Sequence, residues 1–415
     1  MTKKKRLNYI LLIFILTLII FAIYSKNILL KIINYLPENV VSIIRIIYNI
    51  ELNSKRINND YNIKFLPDTQ FINLDFKKTS LDIFNKKNSV GYYDKLISKN
   101  LNTFNIDIWK NYIFIATQEG KIFYKDINDI DDKNINFQEI TSNKKYYKIL
   151  DSLVYNNYFY ISSTNKVSDC EILNINKAKI NLSKLEFKII FSSSTCNKYI
   201  QSGRMQKISK NHLLIATAAD ILLREDEIDL KPQDNQSHWG KILLLNENNN
   251  SIKIYSKGHR NILGLYADKN IILSTEHGPK GGDEINQIIY NKNYGWPIAS
   301  YGKPYNSDVK TNYKKNHNEY YDPIFSFIPS IGISEIIKLN NNFTKEWEDN
   351  FLIGTLNDKH LLRVKFDNSF KKVIYIEKIF INERIRDIKY YDQKKIIFLA
   401  LENSGSLGII KNPNP

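Results

Sequence analysis

The sequence predicts an all-β fold, and within that class a six-bladed β-propeller. From Tyr61 onward, short apolar strands are separated by Asn, Asp, Gly and Lys. One unit recurs: an apolar strand, a short turn, then another strand, as in Tyr112–Gln118 followed by Gly120–Tyr124. Such units begin at Tyr112, Tyr158, Leu213, Ile271, Phe351 and Ile396, at intervals of 46, 55, 58, 80 and 45 residues. Second strands follow several of them, at Ile221–Arg224, Ile285–Tyr290, Leu361–Phe366 and Leu407–Ile410. Six copies at this spacing fit radial repetition of small sheets. On pattern alone the competing arrangement is a pair of irregular β-sandwiches. The 80-residue interval implies a long insertion around Asn291–Tyr321, and such loops commonly carry function.

The N-terminus follows another pattern. Lys3, Lys4, Lys5 and Arg6 precede an uncharged stretch from Leu7 to Ser25. As a helix this stretch spans about 28 Å, close to the thickness of a hydrocarbon core. The basic cluster is expected to stay in the cytoplasm. A cleaved signal peptide is the competing reading, but Ile23-Tyr24-Ser25-Lys26-Asn27 makes a poor cleavage site. Residues 1–26 therefore read as a basic tip and transmembrane anchor, residues 27–54 as a juxtamembrane helical segment, and residues 55–415 as the propeller. Within the middle segment, Pro37 opens a helical pattern through Val40, Val41, Ile43, Ile44, Ile47 and Tyr48. That helix suits a membrane surface or a place under the propeller equally well. The arrangement places the chain at the cell inner membrane as a single-pass protein, with the propeller on the periplasmic or extracellular side.

Composition narrows the partners. The chain has 415 residues, 43% hydrophobic and 13% aromatic, ordinary for a globular protein with a sizeable core. The net charge is +16, yet the lysines are scattered through Asn- and Ile-rich sequence. No basic helix or aromatic RNA-binding motif accompanies them, so nucleic acid is not an expected partner. Cys170 and Cys196 fit no zinc pattern; they suit one disulfide in an oxidising compartment or two buried thiols. The six histidines show no paired helical spacing for a metal.

The densest run of unusual residues is Gly258 to Tyr305. It contains Gly-His-Arg-Asn (258–261), Glu-His-Gly-Pro-Lys-Gly-Gly-Asp-Glu-Ile-Asn (276–286) and Asn-Tyr-Gly-Trp-Pro (293–297). Gly278, Gly281 and Gly282 permit sharp turns or close approach to a ligand, and Pro279 fixes its own φ. These motifs, in this order and spacing, resemble the soluble quinoprotein sugar dehydrogenases, the glucose/sorbosone dehydrogenase family. The match is nearest to its aldose sugar dehydrogenase branch, with weaker similarity from Gln201 to the end.

The resemblance implies a six-bladed propeller with an axial site and a pyrroloquinoline quinone (PQQ) cofactor. It also implies a calcium ion and a small-molecule sugar substrate; the electron acceptor is left open. The chemistry implied is removal of hydride from C1 of an aldose, with a histidine base taking the hydroxyl proton. Arg260 and Asn261 match the pair that contacts the quinone oxygens. Gly278 and Pro279 match the positions whose main-chain carbonyls hold calcium, which needs hard oxygen ligands. Arg384 and Arg386 match two arginines that pair with quinone carboxylates; at i and i+2 on one strand they face the same side. Two positions depart from the pattern. The family's His-x-x-Gly-Arg reads here Ile200-Gln201-Ser202-Gly203-Arg204, so Ile200 stands where the base should be. Asp220 falls near the acid that orients that base. Asn357 stands where glucose-specific members place a lysine against the quinone. Two functions follow: a membrane-anchored PQQ-dependent aldose dehydrogenase in which another group or water replaces the base, or a catalytically silent propeller that binds a glycan, quinone or protein. On the first, Ile200→His is expected to raise aldose oxidation, provided Asp220 orients the new ring.

Overall fold

The computed structural model describes residues 64–69, 74–81, 83–84, 101–130, 136–198, 200–219, 229–304, 317–340 and 343–412. The chain divides into units Met1–Asn53 and Ser54–Pro415, and the first lies wholly outside the described residues. The anchor expected at Leu7–Ser25 and the helix expected after Pro37 therefore lie outside them too. Among the described residues no helix is long and apolar enough to cross a membrane.

The second unit is a ring of six antiparallel sheets. Their first strands are Phe104–Trp109, Lys148–Tyr155, Met205–Ser209, Ile262–Ala267, Ile333–Lys338 and Ile385–Tyr391. Each of these packs against the first strand of the next sheet, and the sixth packs against the first, so they line a closed axis. This is a six-bladed propeller. The apolar runs singled out from spacing are the second strands: Tyr112–Thr117, Tyr158–Val167, His212–Ala216, Ile272–Glu276, Phe351–Thr355 and Ile396–Leu401. Flanked by strands on both edges and by blades on both faces, they bury most of their residues, Tyr158–Val167 being exposed at both ends, which is why their centres read as apolar stretches.

Ring closure is shared between the chain's ends. Asp75–Ser80 is the outer strand of the sixth blade, antiparallel to Ser406–Lys411. Lys64–Thr69 adds a parallel fifth strand to the outer edge of the fifth blade. The third blade's third strand is Lys241–Asn246, whereas Ile221–Arg224 lies outside the described residues. The fourth blade's third strand is Asp283–Gln287, and its fourth is Phe325–Phe327; the expected insertion separates the two.

Polar side chains on the inner strands stitch each blade to the next. Asp107 Oδ2 accepts the Val154 N–H at 2.8 Å, and Asp151 Oδ2 accepts the Met205 N–H at 2.8 Å. The Ser202 hydroxyl donates to the Ile262 carbonyl at 2.6 Å, and Thr275 donates to the Ser334 carbonyl. Ser334 donates to the Ile385 carbonyl at 2.5 Å, and Asp387 Oδ2 accepts the Ile106 N–H at 2.9 Å. Every junction thus has a latch, and each satisfies a main-chain group that would otherwise be buried unpaired.

Candidate active site

The described part of the Gly258–Tyr305 run, Gly258 to Pro304, forms the axial end of the fourth blade. Glu276, at the end of the second strand, organises it. Its carboxylate meets His259 Nδ1 at 3.0 Å and accepts the Arg260 N–H. His259 Nε2 meets the Ser256 hydroxyl at 2.8 Å, so the ring is fixed at both nitrogens. Arg260 Nη1 then donates to the His277 carbonyl at 3.0 Å, and its guanidinium lies 5.3 Å from the Trp296 ring centroid. Beside them opens a small cleft bordered by Arg260, Glu276, Glu284, Tyr294 and Trp296. Burial first, and Glu276 second, hold the Glu284 carboxyl well above its usual range.

The turn after this strand is built for close approach. A Cβ on Gly278 would meet the Gly282 carbonyl oxygen at 2.3 Å, so only glycine fits. Asp283 fixes the turn: Oδ1 accepts the Gly278 N–H at 3.0 Å, and Oδ2 accepts the N–H groups of Ile331, Gly332 and Ile333 at 2.7–3.1 Å. Among the described residues no donor meets the Gly278 carbonyl, and Ser330 approaches the Pro279 carbonyl only at 3.4 Å.

Across the axis, the sixth blade supplies the arginines. Arg384 Nε donates to Glu402 Oε2 at 3.1 Å and Arg386 Nε to Glu402 Oε1 at 2.5 Å. Thr103 donates to the same carboxylate at 2.9 Å. Glu402 is fully buried, while the two guanidiniums stay about one-fifth exposed. Burial opposes ionisation, but Arg386, Arg384 and the hydrogen bonds win and bring the carboxyl down to about 2. One carboxylate thus aims two cations and neutralises one. Arg384 Nη1 also reaches the Leu356 carbonyl at 3.4 Å, which brings Asn357, the next residue, to this side. Asn357 is exposed, and its N–H donates to the Ile331 carbonyl at 3.1 Å.

His277 links the two sides. Burial first lowers its pKa, Asp283 opposes, and Arg260 and Arg386 lower it further, so both guanidiniums lie within electrostatic reach of one ring. From the third blade, Gln201 Oε1 accepts from Asn261 Nδ2 at 3.2 Å, leaving Asn261 Oδ1 buried without a partner.

The structure therefore gathers Arg260, Asn261, Gly278, Pro279, Arg384, Arg386 and Asn357 around one axis. Ile200 is not among them. Its side chain is fully buried in the core between the second and third blades, with Leu173, Met205 and Trp239. Its carbonyl accepts from the buried Lys148 ammonium at 2.6 Å, and that ammonium also lies 3.0 Å from Glu171. Asp220 lies outside the described residues. The motifs did not reveal Glu402 or Gln201. For Glu402 the one visible signal is a lone acid directly after an all-apolar strand.

A family model for glucose/sorbosone dehydrogenases matches residues 137–409, which holds five of the six inner strands and the whole site. The chain belongs to the glucose/sorbosone dehydrogenase family. It is 30% identical over 252 residues to an aldose sugar dehydrogenase of Escherichia coli, covering 55% of this chain and 65% of that relative. It is 30% identical over 202 residues to an uncharacterized protein of Synechocystis, covering 45% of this chain and 49% of the relative. The chain thus spans less than two thirds of either. Among solved structures, a glucose dehydrogenase matches with a TM-score of 0.65 at 20% identity, over 74% of this chain and 95% of that one. The PQQ-bound aldose sugar dehydrogenase of Streptomyces coelicolor matches with a TM-score of 0.56 at 16% identity, over 81% and 98%. At these identities the structural matches establish a shared fold.

Proposed function

We propose that this member of the family is a PQQ-dependent aldose dehydrogenase, anchored in the inner membrane by Leu7–Ser25 and acting outside the cytoplasm. The observation that carries the cofactor reading is the Arg384–Glu402–Arg386 arrangement, with Arg386 and Arg260 both within electrostatic reach of His277. Two guanidiniums against one carboxylate leave a net positive charge on partly exposed side chains, which suits a ligand with several carboxylates. The unpartnered Asn261 Oδ1 and the unengaged Gly278 carbonyl are further vacant hydrogen-bonding and ligating positions. Among the described residues no group of three or more His, Cys, Asp or Glu side chains is placed to hold a metal. By the family resemblance, a calcium ion here would rest on the Gly278 and Pro279 carbonyls, with the rest of its oxygens from the cofactor. The Cys170–Cys196 disulfide supports an oxidising compartment.

Bound in this site, PQQ with calcium would supply a hydride acceptor for C1 of the sugar. Arg384 and Arg386 would hold its carboxylates, Arg260 and Asn261 would orient its ring oxygens, and Asn357 would lie at the rim. The C1 hydroxyl proton must still leave, and Ile200 cannot take it. Oxidation is expected to run on the order of a hundred- to ten-thousandfold slower than with a positioned base. Calorimetric titration with PQQ, with and without calcium, tests the reading. Calcium-dependent binding is expected, weakened about ten- to a hundredfold by Arg384→Ala or Arg386→Ala. No calcium-dependent binding would refute the cofactor assignment. Calcium-dependent binding with no aldose oxidation at all would favour a propeller that only binds.

A further inference from the structure

A second charged cluster, joined to the arginine pair through the main chain of Arg386, is not used by the proposed chemistry. Asp107, Asp151, Glu335 and Asp387 come from the inner strands of the first, second, fifth and sixth blades, and all are buried. Arg204, at the entry to the third blade's inner strand, lies among them and is 3% exposed. Its Nη1 meets Glu335 Oε2 at 2.7 Å, Asp151 Oδ1 at 2.9 Å and Asp387 Oδ1 at 3.5 Å. Its Nη2 donates to the main-chain carbonyl of Arg386 at 2.9 Å.

The last contact matters because of where Arg386 sits in its strand. The pairing of Ile385–Tyr391 with Ile396–Leu401 shifts register between Ile385 and Asp387, so Arg386 is the extra residue of a bulge. A bulge re-aims a side chain and leaves its own main-chain groups outside the ladder. Arg204 takes the carbonyl so released. It is held there by carboxylates from three other blades, and a planar guanidinium can serve several acceptors at once in fixed directions.

We propose that Arg204 is a positioning residue for Arg386: it caps the carbonyl freed by the bulge and so sets where Arg386 presents its charge to the axial site. The inference rests on the reading of Arg384 and Arg386 as the anion-holding pair.

A double-mutant cycle with PQQ and calcium tests it. Arg204→Lys keeps a buried positive charge but loses the fork that reaches the carboxylates and the carbonyl together. It is expected to weaken PQQ binding about tenfold. In an Arg386→Ala background the same change should cost little, because no side chain remains to be placed. Equal losses in both backgrounds would overturn the proposal, since a merely structural role is indifferent to the Arg386 side chain. If Arg204→Lys does not fold, Glu335→Gln removes one of the three carboxylates. A smaller loss in the same direction is then expected, again absent without Arg386. Hydrogen exchange on the cofactor-free protein gives a second readout. Arg204→Lys should speed exchange at 384–388 and leave Tyr158–Val167 unchanged. If wild-type protein binds no PQQ, the cofactor reading fails and exchange alone decides; unchanged protection at 384–388 then sinks the positioning role.

Discussion

Glu402 shows how one residue sets the properties of others far from it in sequence. It is fully buried, and it fixes two arginines that would otherwise sample many rotamers. Glu402→Gln keeps the shape but removes the charge. The variant is expected to weaken PQQ binding roughly tenfold, although neither arginine has changed. Calorimetry against Arg384→Ala and Arg386→Ala would check this; undiminished affinity would mean the arginines are placed by something else. Ile200 teaches a different lesson. The resemblance to His-x-x-Gly-Arg puts it at the base position, but its side chain points into apolar core rather than the cleft. A histidine there would exchange water for Leu173, Met205 and Trp239 with no partner in reach. Ile200→His is therefore expected to cost about 1–3 kcal/mol of stability. No gain in aldose oxidation should accompany it, in contrast to the gain that the motif alone implies. A thermal melt and a steady-state assay separate the two; a stable variant with a hundredfold gain would show that the ring turns into the site.

Among the elements, the hairpin Tyr158–Val167/Cys170–Lys179 and the loop leading to Gln201 behave as one piece. The disulfide Cys170–Cys196 joins them, and Glu171 and Asn197 exchange main-chain hydrogen bonds at 2.7 and 2.9 Å. Trp239 Nε1 adds a bond to Thr195 at 3.0 Å, and Lys231 adds one to Asn197 Oδ1 at 3.1 Å. The cross-link spans 26 residues, for which loss of unfolded-state entropy predicts roughly 3 kcal/mol. Cys170→Ser with Cys196→Ser, or reductant on the native protein, should lower the melting temperature by several degrees; an unchanged melt would show the pair contributes nothing. The elements also show what sequence can reveal. The second strand of each blade was legible because it is apolar on both faces. The inner strands were not, because their core-facing positions carry Asn105, Asp107, Asp151 and Glu335, which break the apolar run. The Gly258–Tyr305 motifs announced the fourth-blade half of the site, since turn glycines and a strand-end acid lie close together in sequence. The bond from Arg204 to Arg386 joins residues 182 apart, and no local pattern encodes it.

At the scale of the whole ring, the axial carboxylates make stability depend on pH. Burial is the largest influence on Asp107, Asp151 and Glu335. It raises them from 3.8, 3.8 and 4.5 to about 7, 6 and 7, despite Lys389 beside Asp107 and Arg204 beside the other two. The physical cause is that four buried carboxylates share two cations, Arg204 and Lys389, among the described residues, so full ionisation is costly. A carboxyl whose pKa is raised on folding binds its proton more tightly in the native state. Its contribution is fully present below about pH 4 and is lost as pH rises through 6 to 7. Glu402 acts with opposite sign: held near 2, its contribution is present above 4.5 and is lost as pH falls towards 2. Taken alone, these carboxyl limbs favour roughly pH 4 to 6; burial brings Lys241 down from 10.5 to about 7, and its contribution grows as pH rises above 7, opposing them. The limb of any one carboxyl is therefore read from melting temperatures of a variant against the native protein across pH, where the shared groups cancel. Asp107→Asn isolates the neutral limb. It should melt below the native protein at pH 5, because the two carboxyl oxygens take the Val154 and Ile108 N–H groups at 2.8 and 2.7 Å and the amide nitrogen of the variant cannot replace one of them. The gap should narrow by pH 8, where the native protein must carry the full charge and the variant need not. A gap that is constant across the range would mean that Asp107 is already ionised at pH 5, and that the ring tolerates its axial charge without holding protons.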